Sequence, residues 1–285
     1  MPRWQQRRER LRCVLRGPQC VYPGSVFDPI SARIAEGLGF EVGMFAGSVA
    51  SMTVLGAPDL IVLTLTEFAQ QAYRICRAAE LPLLCDADHG YGNALNVMRT
   101  VEELETAGVA GLSIEDTELP PGYGGNGKPR LISIEEGVGK MRAAIAARRD
   151  PGLVIAGRPS APAMTSISDA VARARAYEAA GVDAIFMVGI KSRSDLDTIA
   201  AQVKLPLILG GAGRQIMDRG VLSQCGVRIC LQGHQPFAAA VRAIHDTLRA
   251  LREGAEPETI EAADDETMKR LTRHDDYARW MRDWL

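Results

Sequence analysis

Much that would narrow the function of this 285-residue chain is missing from it. It has no CxxC pair and no His/Cys cluster at zinc-finger spacing. Its six cysteines stand at positions 13, 20, 76, 85, 225 and 230. Cys76, Cys85, Cys225 and Cys230 lie in apolar runs, where a thiol serves as a small hydrophobe, so a reducing cytoplasm is expected and disulfides are not. No apolar run approaches the ~18 residues that a membrane-spanning helix needs. Neither sign of charge dominates: 33 Lys and Arg stand against 35 Asp and Glu, for a formal net charge of −2. That excludes a general attraction to nucleic acid or to an anionic membrane. There is no GxGxxG fingerprint, no low-complexity linker, and no repeat beyond a strand–helix period.

What is present is that period. Short β-rich runs at 20–27, 42–46, 81–86, 111–115, 153–157, 184–188, 205–209 and 227–231 read as strands. Most are continuously apolar, as strands covered on both faces are. Helical patterns at 67–80, 93–107, 134–147, 167–180 and 237–251 lie between them, and Gly39, Gly108 and Gly181 each follow a helical run. About eight such units predict an α/β fold, a closed (β/α)₈ TIM-type barrel, with an open doubly wound sheet as the alternative. The whole chain, 1–285, reads as one barrel domain: an N-terminal helix over 1–19, the barrel over 20–251 and a C-terminal helical extension over 252–285. The opening MPRWQQRRERLRCVLRG is arginine-rich but lacks the serines of a transit peptide. It reads as an amphipathic helix with Trp4, Leu11, Val14 and Leu15 on one side. Trp280 and Trp284 on the last helix read as packing surface for the barrel or for another subunit.

In such a barrel the active site lies at the C-terminal ends of the strands. The second predicted strand ends in Gly47-Ser48, the third in DADHGYG from Asp86, the fourth in Glu115-Asp116, the fifth in Arg158 and the eighth in Gly233-His234, while Asp59 follows the second. Asp59, Asp86, Asp88 and Glu115 around one point would repel one another without a cation. An all-oxygen set calls for a hard divalent ion, Mg²⁺ or Mn²⁺, rather than zinc. Asp116 reads as a helix cap or solvated loop end, His89 as a residue behind the metal acids, and His245 and His274 as surface residues. Arg158 suits a substrate carboxylate or a developing enolate. His234 suits a hydrogen bond to substrate or a proton transfer. Ser48 and the amides beside Gly47 suit an anion cradle.

SVFDPISARIAEGLGF, AGSVAS, the APD triplet, DADHGYGNALNVMRTVEELE and GLSIEDTELP together resemble the isocitrate lyase/phosphoenolpyruvate mutase superfamily. Within it, SVFDP, NALNVMRTV and the late Gly233-His234 are most similar to the oxaloacetate decarboxylase branch. The resemblance implies Mg²⁺ near Asp86, with Asp59, Asp88 and Glu115 reached mostly through water, and substrate contacts from Ser48, Arg158 and His234. It also implies a homotetramer, a dimer of dimers, in which the last barrel helix swaps between paired subunits.

The 117–132 loop, LPPGYGGNGKPRLIS in its greater part, lacks the cysteine that isocitrate-type lyases of this superfamily use as a proton donor, and Asn126 there is a faint echo of the phosphonate mutases. The fifth strand ends in GRPSAPAM where relatives carry ART, and Ala212 is expected where the decarboxylase branch places a tyrosine at the mouth. The expectation is Mg²⁺-dependent decarboxylation of oxaloacetate or a close 2-oxo dicarboxylate. The alternatives are a C–C lyase on a 2-hydroxy or branched dicarboxylate such as a methylisocitrate or dimethylmalate, phosphonate P–C chemistry near Gly210-Gly211-Ala212-Gly213, and, from another class, a barrel kept only for binding.

Overall fold

Eight strands pair in sequence order, each parallel to the next. The computed structural model describes residues 3–123, 129–213 and 216–285, so Asn126 lies outside the described residues. In chain order the elements are α1 (Arg3–Arg16), β1 (Gly24–Ser25), α2 (Pro29–Gly37), β2 (Gly43–Ala46), α3 (Gly47–Ala50), α4 (Leu65–Ala78), β3 (Leu83–Asp86), α5 (Ala94–Thr106), β4 (Gly111–Glu115), α6 (Ile134–Ala147), β5 (Val154–Arg158), α7 (Ala161–Met164), α8 (Ile167–Ala180), β6 (Ala184–Met187), α9 (Arg193–Ala200), β7 (Leu207–Leu209), α10 (Arg219–Gln224), β8 (Val227–Cys230), α11 (Gln235–Arg252), α12 (Asp265–Thr272) and α13 (His274–Trp284). The expected (β/α)₈ barrel is therefore the fold. Its ring closes through one parallel bridge, Val21 to Ile229, ahead of the two-residue β1. The first strand expected over 20–27 thus survives as a bridge and a short pair.

Local chemistry sets where the helices begin. Asp28 accepts from the Ser31 amide, Ser31 returns the bond, and Pro29 opens α2. Thr64 and Glu67 form the same reciprocal pair ahead of α4. Asn93, Ser133 and Ser166 cap α5, α6 and α8. Gly39, Gly108 and Gly181 all take positive φ, as expected of glycines that end helices. No helix among the described residues is long and apolar enough to cross a membrane.

The arginine-rich opening is the plug of the barrel floor. Leu11 is fully buried and Leu15 nearly so, packed among Val42, Leu84, Ala110, Val154, Ala184, Ile208 and Ile229 from the strands. The approach is close: a Cβ on Gly111 would lie 2.7 Å from Leu11 and one on Gly108 2.6 Å from the Trp4 ring. The arginines tie down the loops below. Arg8 donates to the Val109 and Glu105 carbonyls and pairs with Asp150 at 2.6 Å, and Arg12 binds the carbonyls of residues 151–153 and Asp183. Leu11→Ala is expected to destabilise the fold by about 2–5 kcal/mol, the usual loss for a buried leucine. In a domain of this size that lowers Tm by roughly 5–15 °C. A variant melting within a degree or two of the parent would show that the plug contributes little.

At the other end of the chain, Leu271 of α12 is buried and its carbonyl accepts from Arg33 of α2 at 2.6 Å. In α13 the Trp280 and Trp284 rings stack 5.7 Å apart, and Trp284 stays largely exposed.

Candidate active site

The parallel register brings the chemistry together. Asp86 stands opposite Ser113 across β3 and β4, and Glu115 opposite Arg158 across β4 and β5. The side chains of Asp86, Glu115 and Arg158 enter a cavity of about 260 Å³ over the C-terminal ends of the strands, with Asp59, Asp88, Ser48 and His234 also on its wall. That volume suits a small acid, not a nucleotide.

Arg158 is the hub. Its guanidinium pairs with Asp86 and, at 3.1 Å, with Glu115, and it lies 5.4 Å from the centre of the Phe186 ring. Burial alone would lower its pKa, but the Asp86 and Glu115 charges outweigh that and raise it, so it stays a cation. Its Nε is buried without a hydrogen-bond partner among the described residues, a donor left over for an oxygen brought by a ligand. The other Asp86 oxygen accepts from the Ser113 hydroxyl at 2.8 Å.

Asp88 lies two residues past Asp86, just beyond the end of β3. It sits at φ +47°, so the chain turns at Asp88 itself, before Gly90 at φ +78°. Its carboxylate fills the space beside Gly47, where a Cβ would lie 2.5 Å from either oxygen. Gly47 was expected in an anion cradle, and here its missing side chain is what admits Asp88. Burial, then the neighbouring Asp86, Glu115 and Asp59, push the Asp88 pKa well above the carboxylate range. Glu115 is raised by burial and Asp86 and held down in part by Arg158. Asp59 stands at the rim, where partial burial of its carboxyl and the Asp86 charge raise it as well.

His234 caps α11 directly after Gly233 at φ +86°, and its Nδ1 lies 2.9 Å from the Ser25 hydroxyl of β1. Burial lowers its pKa against the pull of Asp86 and Asp59, which favours the neutral ring. His89 is buried behind the acids, pushed down to about 4 by burial and by the Lys140 cation. His245 is at the surface, as expected.

Two expectations need correction. Asp116 is no solvated loop end: it is fully buried and accepts from the Ser160 amide at 2.9 Å, Arg173 at 3.1 Å and the Tyr177 hydroxyl at 2.8 Å. It ties the end of β4 to α8 behind Glu115. Ala212 is half-buried against the core, and Gly210 lines the cavity in its stead. Sequence reasoning also missed the apolar floor of Met44, Phe186, Val188 and Leu231. Its only signal was inward-facing positions near the strand ends, which core residues share. Leu119 and Pro121 reach the cavity from the 117–132 loop, near whose two ends Thr117 and Leu131 form an antiparallel bridge.

The donor set fits a hydrated divalent ion. With all four carboxylates ionised, Arg158 and the Lys140 ammonium behind them would still leave the balance two positive charges short. Among the described residues, no three His, Cys, Asp or Glu side chains converge tightly enough to hold an ion unaided. Mg²⁺, which keeps several of its waters, suits such a spread of oxygens.

Comparison with known proteins agrees with this geometry. Residues 11–252 match the phosphoenolpyruvate phosphomutase family. The chain is 60% identical over 257 residues to an oxaloacetate decarboxylase of Bradyrhizobium diazoefficiens, covering 90% of this chain and 89% of that one. It is 57% identical to an oxaloacetate decarboxylase of Rhodopseudomonas palustris, covering 95% and 94%. Among solved structures, phosphoenolpyruvate phosphomutase from Streptomyces platensis subsp. rosaceus superposes with a TM-score of 0.87 at 27% identity, covering 97% of this chain and 99% of that one. A phosphonopyruvate hydrolase complexed with oxalate and Mg²⁺ does so with a TM-score of 0.85 at 26% identity, covering 98% and 99%. With one family matched across the barrel and relatives more than half identical along its length, the chain belongs to the phosphoenolpyruvate mutase/isocitrate lyase superfamily.

Proposed function

We propose that this protein is a decarboxylase of oxaloacetate or a closely similar 2-oxo dicarboxylate that depends on Mg²⁺, with Mn²⁺ as the replacement ion. The observation that carries the reading is the largely buried Arg158 side chain, 17% exposed, whose guanidinium is joined to Asp86 and Glu115 at the mouth of a small cavity. The relatives named oxaloacetate decarboxylase support it. Asp86, Asp88, Asp59 and Glu115 would hold the ion, which when bound acts as a Lewis acid on the 2-oxo group of the substrate. Arg158 holds positive charge where the enolate's negative charge develops, and only interactions stronger there than with the ketone speed the step. Ser48 and His234 on the cavity wall orient the carboxylate that stays.

Breaking the C–C bond leaves its electron pair on the substrate as an enolate, and CO₂ departs. No general acid is needed for that departure, which accords with the absence of cysteine from the 117–132 loop. A proton then returns to carbon from water or through His234, whose ring, favoured in its neutral form, sits against Ser25. The test is CO₂ release from oxaloacetate with and without Mg²⁺, corrected for the rate the ion gives alone. Release that needs the enzyme, with pyruvate as the other product, supports the reading. A carbonyl co-product from a branched hydroxy diacid in its place would favour C–C lyase chemistry.

We place the protein in the cytoplasm, where free thiols such as the buried Cys20, Cys76, Cys85, Cys225 and Cys230 persist. We infer its assembly from α11. That helix buries no residue, meets its own barrel mainly where Phe237 packs edge-on to Phe27, and exposes Val241, Ile244 and Leu248. Such an apolar stripe fits exchange of α11 between paired subunits within a dimer of dimers. The double variant Ile244→Asp, Leu248→Asp is expected to run as a monomer in light scattering while the parent runs as an oligomer. An unchanged mass would rule out a role for this stripe in assembly.

A further inference from the structure

Lys140 has no part in the chemistry above, yet it is 3% exposed, in the middle of α6. Lysine is rarely buried unless its charge is answered. Its Nζ donates to the backbone carbonyl of His89 at 3.0 Å, and among the described residues it has no carboxylate at ion-pair distance. Burial lowers its pKa, while Glu136, Glu115 and Asp116 act in the opposite direction. Its ammonium therefore lies within the field of the active-site acids, on their far side.

The turn that it touches is the one that carries Asp88. Four successive carbonyls there each have a partner. Ala87 accepts from the Gly90 amide at 2.9 Å and Asp88 from the Glu115 amide at 2.8 Å. His89 accepts from Lys140, and Gly90 from the Thr100 hydroxyl at 3.0 Å. Only the His89 carbonyl is held by a full charge, and charge-assisted bonds are about twice as strong as neutral ones. It follows Asp88 directly, the residue whose left-handed φ of +47° is uncommon outside glycine and carries a strain that its surroundings must hold. The surroundings must overdetermine such a conformation for it to persist.

We propose that Lys140 is a positioning residue of the metal-binding turn: its ammonium clamps the His89 carbonyl and so keeps Asp88 turned toward Asp86 and Glu115. The inference rests on the reading that these acids hold a divalent ion. Lys140 would not touch ion or substrate. It fixes one ligand's backbone and offsets part of the charge that the four acids carry when ionised.

The test is Mn²⁺ binding measured by calorimetry without substrate, on the parent, Lys140→Met and Lys140→Arg, with melting temperature recorded alongside. Lys140→Met is expected to bind Mn²⁺ about tenfold or more weakly, the usual effect of losing a partner behind a metal ligand. The Mg²⁺ concentration for half-maximal activity should rise in parallel, while kcat at saturating Mg²⁺ changes far less. Lys140→Arg, which keeps charge and donor, should recover most of the affinity. A folded Lys140→Met with the parent's Mn²⁺ affinity overturns the proposal, even if it melts earlier, because a purely structural lysine would do just that. If the methionine variant does not fold, Lys140→Gln keeps a donor without the charge. Intermediate Mn²⁺ affinity there supports the clamp, and parental affinity overturns it. A parent protein that binds no Mn²⁺ would remove the four-acid reading itself, and the clamp with it.

Discussion

Asp86→Ala is expected to lower Mg²⁺-dependent decarboxylation by on the order of 10³-fold or more, to the rate given by the ion alone. A Lewis-acid contact is worth several kcal/mol in the transition state, and each 1.36 kcal/mol is a factor of ten. Among the four acids, Asp86 is the one we propose as the main ligand of the ion. It ends β3, its position is set by Ser113 in the neighbouring strand, and its second oxygen is already joined to Arg158. The loss should appear in kcat at every attainable Mg²⁺ concentration. Calorimetry on the same variant should show Mn²⁺ binding gone. Decarboxylation at the parent's rate would sink the assignment of Asp86 and the mechanism with it.

The second large effect concerns Arg158, and it has two faces. Arg158→Met should reduce kcat by about 10²–10³-fold, the range seen when a preorganised donor to a developing anion is removed. It should also destabilise the metal-free protein by about 3–5 kcal/mol, because breaking a buried pair leaves an uncompensated charge. Here two carboxylates, Asp86 and Glu115, lose their cation together. A divalent ion can replace part of that charge. Saturating Mg²⁺ should then raise Tm by more in the variant than in the parent, although activity stays low. An equal shift in both would mean that Arg158 does not balance the acids. Arg158→Lys should recover stability better than rate, since an ammonium cannot bridge two carboxylates in the plane of a guanidinium.

The elements were most legible where one signal was strong and uncontested. The helices expected over 134–147 and 167–180 have those bounds, because serine caps open them and apolar periodicity runs their length. The strand at 111–115 is likewise where its apolar run lies. Legibility fell where tertiary contacts decide. Only two residues of the first strand pair in the sheet, and the segment after β2 coils at once into α3 and a wider π-turn over Ser51–Leu55.

The acids and Arg158 could be located because polar residues at the ends of apolar strands have few structural reasons to be there. Asp116 defeated the same reasoning. Its partners Arg173 and Tyr177 lie on α8, and nothing local in the sequence says that they meet it. Lys140 left a fainter trace: it shares the buried side of α6 with Gly137, Met141 and Ala144, where helical spacing would have flagged a charge. Ala212 was placed by analogy along the chain, and a shift of two residues set Gly210 at the wall.

The bridge between Val21 and Ile229 has a consequence for how the chain reaches this state. The ring cannot close until the last strand has left the ribosome. Until then β1 and β7 offer open hydrogen-bonding edges, and Leu11 has only part of its eventual surroundings, Ile229 being absent. Contacts so distant along the chain make for slow folding and a long exposure of unpaired strand edges. Truncation just short of β8 should for this reason yield aggregating protein rather than a smaller barrel, and refolding from denaturant should lose yield steeply as concentration rises.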